Sequence, residues 1–399
     1  HPLYILYTSG TTGKPKGVVR DNGGHAVALK FAMSNIYGAK QDETFWAASD
    51  IGWAVGHSLS VYGALINRNA TVIFEGKPIG TPDAGTYWRV ISDHKVAVMF
   101  TAPTAIRAIK KEDPDGEFVK KYDLSSLRTQ FLAGERCDVS TLDWYDEHVG
   151  VPAIDHWWQT ESGWPMLGLM PGVEEVKIKR ASAGKPIPGY DIKIFSEEGY
   201  ELDAHKEGYL VIKLPLGPGA LSGIWNDPER FKFGYLSRFP GYYFSGDGAI
   251  QDEDGYLFIT GRVDDVINVA GHRLSTAEME EVVSAHKDVA ECCVVGIDDD
   301  LRGQVPFAIA VLKSGSKASQ EDLEKDIIAL VREKIGAVAC LRNAMVVNRL
   351  PKTRSGKILR KLIRTMLDGK DYQIPSTIDD ESIVEELQQR INAYRNEKK

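Results

Sequence analysis

Residues 3–17 are Leu-Tyr-Ile-Leu-Tyr-Thr-Ser-Gly-Thr-Thr-Gly-Lys-Pro-Lys-Gly, an apolar run followed directly by a loop rich in glycine, hydroxyl groups and lysine. The run at 3–7 is typical of a buried strand, and a parallel strand needs neighbours. The loop at 7–17 suits a polyphosphate, because glycines let the backbone approach closely, successive N–H groups form an anion nest, and a lysine neutralises charge. A plain surface turn has no need of this composition, so the loop predicts phosphate binding.

A P-loop NTPase is the alternative from another class of phosphate-binding proteins. Its loop has the pattern G-x-x-x-x-G-K-[ST]. Here the spacing from Gly10 to Gly13 is too short, and Lys14 is followed by Pro15 instead of a hydroxyl residue that binds Mg²⁺. The sequence therefore excludes this class.

Outward from the loop, the chain to about residue 160 alternates apolar runs with helical patterns, which is the rhythm of βα units. Strands are predicted at 44–48, 70–74, 96–101, 128–133 and 152–155, and crossover helices at 86–93 and 103–111. From about 184 to 260 short alternating runs with turn signals predict an antiparallel subdomain.

The remainder of the chain predicts a separate unit. Ser275-x-x-Glu278 and Ser319-x-x-Asp322 are capping-box-like helix starts, strands are expected at 292–296 and 305–312, and the tail has an apolar helical stripe. We therefore expect an α/β fold: a mainly parallel sheet with helices plus an antiparallel β subdomain, followed by a small mobile α+β carboxy-terminal domain. The expected bounds are 1–263, with βα units to about 180 and a β-rich part at about 181–263, and then 264–399.

Composition narrows the classes of partner. The 399 residues are 43% hydrophobic and 26% charged, as in a globular protein of two or three domains. A net charge of −8 argues against a nucleic-acid partner, and no apolar run approaches a membrane span. The four cysteines have neither a disulfide framework nor a zinc spacing, which favours a reducing compartment.

Five motifs in order carry a resemblance to a known family. They are the loop at 7–17, Trp157-Trp158-Gln159-Thr160-Glu161-Ser162, Ser245-Gly246-Asp247, Thr260-Gly261-Arg262, and Pro351-Lys352-Thr353-Arg354-Ser355-Gly356-Lys357. With them the chain strongly resembles the acyl-adenylate-forming superfamily, and within it the AMP-forming short-chain acyl-CoA synthetases. Segments 102–107 and 134–138 are more similar to propionyl-CoA synthetases than to acetyl-CoA synthetases.

The resemblance implies ATP, Mg²⁺ and coenzyme A as cofactors or substrates, and it assigns roles to individual positions. Phosphate contacts are expected from Thr8, Ser9, Gly10, Thr11, Thr12 and Lys16. Adenine and ribose contacts are expected from Gly134, Glu135, Arg136, Asp155, His156, Trp157, Gln159, Thr160, Asp247, Arg262 and Arg273. Catalytic roles fall on Lys357, Thr160, Glu161 and Arg273, with Glu161 as the metal ligand.

The acyl and thiol ends follow from the same resemblance. Trp158 would wall off the acyl pocket opposite Ala54 and Val55, which favours propionate over acetate, with butyrate or isobutyrate as further alternatives. Coenzyme A would meet Gly271 and Arg332, and Asp264 would be the hinge of the mobile domain. Ordinary roles remain open for four of these positions: core packing for Trp158, a salt bridge for Arg262 and for Arg273, and a turn for Gly271.

The sequence and the resemblance also suggest where the protein acts and with which partners. In the family a large part of the big domain precedes the phosphate loop, so an inactive fragment or interaction module is the alternative from another class. We expect the cytoplasm, with the mitochondrial matrix as the alternative, a homo-oligomer, and lysine acetyltransferases and deacetylases that act on Lys357.

Overall fold

A computed structural model describes residues 1–8, 15–270, 272–353 and 356–398, except for the side chains at 264, 272 and 273. The chain divides into two compact units. The first comprises residues 1–137 and 141–259, and the second comprises residues 138–140 and 260–399. The sequence places the boundary four residues later, after 263. No helix in the described ranges is both long enough and apolar enough to cross a membrane.

Strands and helices of the first unit alternate through its first half. The strands are β1 (Pro2–Thr8), β2 (Lys16–Asp21), β3 (Thr44–Ala47), β4 (Ala70–Thr71), β5 (Val96–Thr101), β6 (Thr129–Leu132), β7 (Ala153–Asp155), β8 (Leu167–Gly168), β9 (Lys185–Pro186), β10 (Ile192–Phe195), β11 (Gly208–Lys213), β12 (Gly223–Ile224), β13 (Tyr242–Gln251) and β14 (Leu257–Arg262), which crosses the boundary. The α-helices are α1 (Asn22–Phe31), α2 (Ala64–Ile66), α3 (Thr86–His94), α4 (Pro103–Glu112), α5 (Val139–His148) and α6 (Pro228–Phe231). Short π-helical and 3₁₀ segments cover Ala32–Ile36, Gly56–Gly63, Val119–Lys121 and Lys232–Leu236.

A parallel sheet with strand order β4-β3-β5-β6-β7 forms the centre of this unit. Successive residues of a strand point to opposite faces, so Phe131 packs in one apolar cluster and Leu132 in another. Burial on both faces is why these strands are nearly continuous apolar runs. The predicted parallel sheet with helices is confirmed, although the strand expected at 70–74 ends at Thr71.

The first strand differs from its prediction. β1 pairs antiparallel with β2, Tyr7 opposite Gly17, so it is not a strand of the parallel sheet. Most residues of β1 are half-buried, whereas β2 carries the fully buried residues Val18 and Arg20. The phosphate loop therefore joins the two strands of a hairpin.

The antiparallel part of the first unit is also confirmed. Its main sheet has the order β10-β11-β13-β14, and β8 pairs with β9. Alternate residues of β10 and β11, such as Ile192, Ile194, Leu210 and Ile212, enter the larger apolar cluster. This packing joins the antiparallel sheet to one face of the parallel sheet.

The second unit is an α+β module, as the sequence predicts. Its strands are β15 (Ile267–Val269), β16 (His272–Leu274), β17 (Val289–Asp299), β18 (Gly303–Leu312) and β19 (Asn343–Val347). Its helices are α7 (Thr276–Ser284), α8 (Gln320–Lys334), α9 (Arg360–Leu367) and α10 (Ser382–Glu397), with 3₁₀ turns at Val263–Asp265 and Ala337–Ala339. Ser275 and Ser319 accept hydrogen bonds from the first turns of α7 and α8, which confirms both predicted helix starts.

Apolar clusters lie on both faces of the sheet in the second unit. Cys293 faces the cluster with α9 and α10, while Cys292 faces the cluster with α7 and α8. Ile383, Leu387 and Ile391 of α10 are buried in the first of these clusters. The stripe predicted from the tail is therefore core packing.

Candidate functional site

The parallel sheet brings several candidate residues to one edge. Ala54 follows β3, Gly134 follows β6, and residues 155–161 begin at the last residue of β7. Because carboxyl ends of parallel strands share an edge, these segments lie at the position where α/β folds bind ligands. The fold thus brings together segments that are many tens of residues apart in the sequence.

Next to the loop that is predicted to bind phosphate, Lys16 and Glu161 form a partly buried ion pair. The Lys16 ammonium lies 2.7 Å from Oε1 of Glu161. The Tyr235 hydroxyl donates to the same oxygen at 2.5 Å and accepts a hydrogen bond from Lys16. Lys16 also lies over the Tyr235 ring, 4.8 Å from its centroid. One carboxylate oxygen thus receives both an ammonium and a phenol.

The charge state of Glu161 follows from these partners. Burial by itself raises the pKa of a carboxyl, but Lys16 and the hydrogen bond from Tyr235 outweigh burial and hold the pKa of Glu161 below its usual value. The side chain is therefore an anion at neutral pH. Thr8 is near the same loop in sequence, and its buried hydroxyl finds no hydrogen-bond partner among the described residues.

The backbone beside Glu161 is clamped by Arg20, which is fully buried on β2. Its guanidinium donates to the carbonyl oxygens of Thr160, Glu161 (3.0 Å) and Gly219. The amide of Leu221 donates to the same Glu161 carbonyl at 2.7 Å. A planar guanidinium can serve several carbonyls at once, so one side chain joins the hairpin to two loops.

A second network holds Asp247, which is buried in β13. The side-chain amide of Gln159 donates to Oδ2 of Asp247 at 2.6 Å and to the carbonyl of Ser245 at 2.8 Å. The indole of Trp157 donates to Oδ2 at 3.2 Å, and the hydroxyl of Tyr243 donates to Gln159 at 2.9 Å. These contacts bring together three of the residues expected at the adenine and ribose.

His156 is buried behind this edge as a neutral ring. Its Nδ1 donates to the carbonyl of Leu132 at 2.6 Å, which leaves Nε2 to accept from the Tyr37 hydroxyl at 2.9 Å. Burial lowers the pKa of His156 to about 4. The half-buried Trp158 ring lies 6.2 Å from that of His156 and 6.4 Å from that of Phe100. Its surroundings are therefore apolar and aromatic.

The segment after β6 is held by Arg107 of α4. Its guanidinium donates to the Glu135 carboxylate at 2.5 Å and to the Arg136 carbonyl at 3.0 Å. Asp155 at the end of β7 is desolvated, which raises its pKa to about 8, although the amides of His156 and Cys137 and the charge of Arg136 act against this shift. Partial protonation of Asp155 near neutral pH follows.

Both residues proposed for the wall of the acyl pocket opposite Trp158 precede the π-helical segment Gly56–Gly63. Ala54 is buried, and Val55 packs against the same apolar cluster as Trp158. The shared cluster of Val55 and Trp158 is compatible with one wall of a pocket and equally with core packing.

The remaining candidates belong to the second unit. Arg262 ends β14, the backbone of Arg273 pairs with Asn268 across β15 and β16, and Arg332 lies in the last turn of α8. Lys357 has an exposed side chain, and its backbone is bound on both sides by Thr353: its N–H donates to Oγ1 at 3.1 Å, and its carbonyl accepts from the Thr353 amide at 2.8 Å.

Some predicted positions lie outside the described residues. These are Ser9, Gly10, Thr11, Thr12 and Gly271, together with the side chains of Asp264 and Arg273. Their roles stay predictions.

Sequence reasoning missed Arg20, Arg107, Tyr235 and Tyr243 as parts of the site. Arg20 carries a signal, because an arginine in an otherwise apolar strand directly after the phosphate loop needs buried acceptors. Tyr235 carries none, since it lies 74 residues from Glu161 in a segment without a motif.

The residues present fit a magnesium ion bound together with a nucleotide. Among the described residues, no group of three or more His, Cys, Asp or Glu side chains is arranged to hold a metal ion. Magnesium in nucleotide sites is usually held by one or two carboxylates plus substrate phosphates. The buried, ionised Glu161 beside a phosphate-type loop meets that requirement.

Comparison with known proteins agrees with this geometry. Residues 1–225 match the family described as AMP-binding enzyme, and residues 278–357 match the AMP-binding enzyme C-terminal domain. The mouse protein named acyl-CoA synthetase short-chain family member 3, mitochondrial, is 53% identical over 384 residues, 96% of this chain and 56% of that protein. Propionate–CoA ligase of Escherichia coli is 46% identical over 391 residues, 96% of this chain and 62% of that protein.

A solved structure extends the likeness to three dimensions. The anthranilate CoA ligase AuaEII in complex with anthranoyl-AMP superposes with a TM-score of 0.80 at 27% identity, covering 91% of this chain and 67% of that one. The chain spans 56–62% of the length of the two curated relatives named above. Taken with the phosphate-side ion pair and the Asp247 network, the family match over 1–225 shows that this chain belongs to the AMP-binding enzyme family.

Proposed function

We propose that this chain ligates a short-chain carboxylic acid, propionate by preference, to coenzyme A through an acyl-adenylate. In the first step the carboxylate attacks the α-phosphorus of ATP and pyrophosphate leaves. In the second step the thiol of coenzyme A attacks the acyl carbonyl and AMP leaves. The observation that carries the proposal is the partly buried Lys16–Glu161 pair beside the predicted phosphate loop, with Asp247 of β13 held by Gln159.

Each network has a part in this scheme. In this scheme Lys16 neutralises phosphate charge, and Asp247 is an acceptor suited to ribose hydroxyls. Lys357 supplies a cation for the oxyanion that develops as two anions approach each other. Glu161 would hold Mg²⁺, which when bound neutralises phosphate charge.

The proposed preference for propionate is based on the expected size of the acyl pocket. A bulky indole at Trp158 limits chain length, while Ala54 leaves room on the opposite wall. One buried methylene contributes about 0.8 kcal/mol, enough for a severalfold preference. Acetate is the runner-up, and butyrate or isobutyrate follows. The E. coli relative carries propionate in its name, which supports propionate as the first choice.

An acid panel tests the proposal. With Mg²⁺, ATP and straight and branched acids of two to five carbons, we expect acid-dependent exchange of pyrophosphate into ATP, fastest with propionate. If exchange is fastest with acetate, acetate is the preferred acid and the proposed adenylation still stands. Absence of exchange with every acid would favour a non-catalytic interaction module, the alternative from another class, and would refute adenylation by this chain.

A further set of proposals concerns the cellular setting. We propose the cytoplasm, with the mitochondrial matrix as the alternative, because the mouse relative carries "mitochondrial" in its name. Acetylation of Lys357 and self-association are further proposals. Fractionation, mass spectrometry of Lys357 peptides and light scattering test these three statements.

A further inference from the structure

Tyr235 occupies a central place in the phosphate-side network of the first unit. It lies in the π-helical segment Lys232–Leu236, is 7% exposed, and stacks on Tyr243 with ring centroids 5.2 Å apart and planes 9° from parallel. The stack fixes the ring, so the position of the hydroxyl is determined by packing.

The hydroxyl of Tyr235 joins the two charges of the pair. It donates its proton to Oε1 of Glu161 at 2.5 Å and accepts from the Lys16 ammonium. A phenol has a single proton to donate, and here that proton is directed at the carboxylate. The lysine occupies the acceptor side of the same oxygen atom.

The proposed function requires this pair to separate. Lys16 has to face the triphosphate and Glu161 a divalent cation, but in this structure they face each other at 2.7 Å. The exchange leaves each group with a partner of opposite charge: the cation replaces the ammonium at the carboxylate, and phosphate replaces the carboxylate at the ammonium. A buried carboxylate that loses its lysine needs another hydrogen-bond donor while the exchange takes place.

We propose that Tyr235 is a positioning residue of the nucleotide site, whose hydroxyl keeps the Glu161 carboxylate in place when Lys16 leaves it for the phosphates. The inference rests on the proposed function and adds to it a residue outside the motifs. Tyr243 supports the same arrangement from behind, because its ring backs Tyr235 and its hydroxyl holds Gln159.

The test compares two tyrosine-to-phenylalanine variants of the full chain. Tyr235→Phe keeps the ring and its stack but removes the hydroxyl. Tyr256→Phe is the matched control, because Tyr256 is also buried in the first unit and donates its hydroxyl to a main-chain carbonyl, that of Lys177, at 2.7 Å. Calorimetry measures binding of α,β-methylene-ATP, with and without Mg²⁺, so the readout does not depend on turnover.

We expect Tyr235→Phe to weaken binding in the presence of Mg²⁺ by about tenfold, the usual effect of losing a hydrogen bond to a charged group. Without Mg²⁺ the loss should be smaller, and Tyr256→Phe should bind as the wild type does. In a Glu161→Ala background the effect of Tyr235→Phe should fall to about twofold or less, because the hydroxyl acts through that carboxylate.

The outcomes separate this proposal from the proposed function. If the wild type binds and Tyr235→Phe binds equally well, the positioning role is refuted and the proposed function stands. A full tenfold loss that persists in the Glu161→Ala background also refutes it. If the wild type binds no nucleotide at all, the proposed function fails, and the positioning role fails with it.

Discussion

At the scale of single residues, burial selects protonation states that the sequence does not reveal. His25 of α1 is enclosed by two tyrosine rings, with centroids 5.8 Å away for Tyr4 and 5.9 Å away for Tyr62. Neither of its ring nitrogens has a hydrogen-bond partner among the described residues. Burial, and then the charges of Arg20 and His57, lower the pKa of His25 to about 3.

A pH dependence of stability follows from His25. The pKa of His25 is about 6.5 in the unfolded chain and about 3 in the folded protein. Between these pH values the unfolded chain therefore binds a proton at His25 and the folded protein does not. The stabilisation is complete above pH 6.5 and decreases as the pH falls, by about 2 kcal/mol at pH 5. His25→Phe keeps the aromatic packing and removes the titration. Urea denaturation at pH 7.5 and 5 should therefore show a smaller decrease for the variant, and an equal decrease would contradict the prediction.

At the scale of elements, the turn after β7 is where strand, hairpin and loop meet. Gly163 has φ +75°, and a Cβ at this position would lie 2.6 Å from the guanidinium carbon of Arg20. Its carbonyl accepts from the buried Ser58 hydroxyl at 2.6 Å. The turn that carries Glu161 is therefore packed against the arginine that holds its backbone.

A pair of glycine substitutions measures that packing. Gly150 also has a positive φ, +72°, but nothing lies within 4 Å of an added Cβ, so Gly150→Ala should cost only the conformational strain of about 1 kcal/mol. Gly163→Ala should cost about 1–3 kcal/mol more, because the methyl group must displace Arg20. Chemical denaturation of both variants measures the difference. An equal loss of stability in both variants would mean that the guanidinium of Arg20 can move aside without a loss of free energy.

At the scale of the whole molecule, the candidate residues are shared between two units that each have their own core. Lys16, Glu161 and Asp247 belong to the first unit. Lys357 belongs to the second, where its carbonyl accepts a hydrogen bond from the Thr353 amide and its side chain is exposed. The proposed chemistry therefore needs both units, and its two steps can be separated by variants of the second.

Lys357→Ala should abolish acyl-adenylate formation, because the cation that stabilises the developing oxyanion is removed. The variant should still convert supplied propionyl-adenylate and coenzyme A to the thioester. Lys370→Ala is the control, since Lys370 is another exposed lysine of the second unit, paired with Asp298 and Asp368. Pyrophosphate exchange and thioester formation measure the two steps, and equal loss of both would assign Lys357 a structural role.

Features that depend on a few neighbouring residues could be predicted from the sequence alone. Apolar runs predicted the strands at 96–101 and 305–312 within two residues, serine caps predicted the starts of α7 and α8, and the order of the motifs predicted the family. Backbone geometry and local capping act over one or two turns, so their signals are local.

Three-dimensional packing settled how distant segments meet. It paired β1 with β2 instead of with the parallel sheet, set Tyr235 against Lys16 over 219 residues of sequence, and clamped the Glu161 backbone with Arg20. These contacts depend on which groups lose water together, and so do the charge of Glu161 and the neutrality of His25 and His156. Desolvation is a property of the packed chain, and a linear pattern does not contain it.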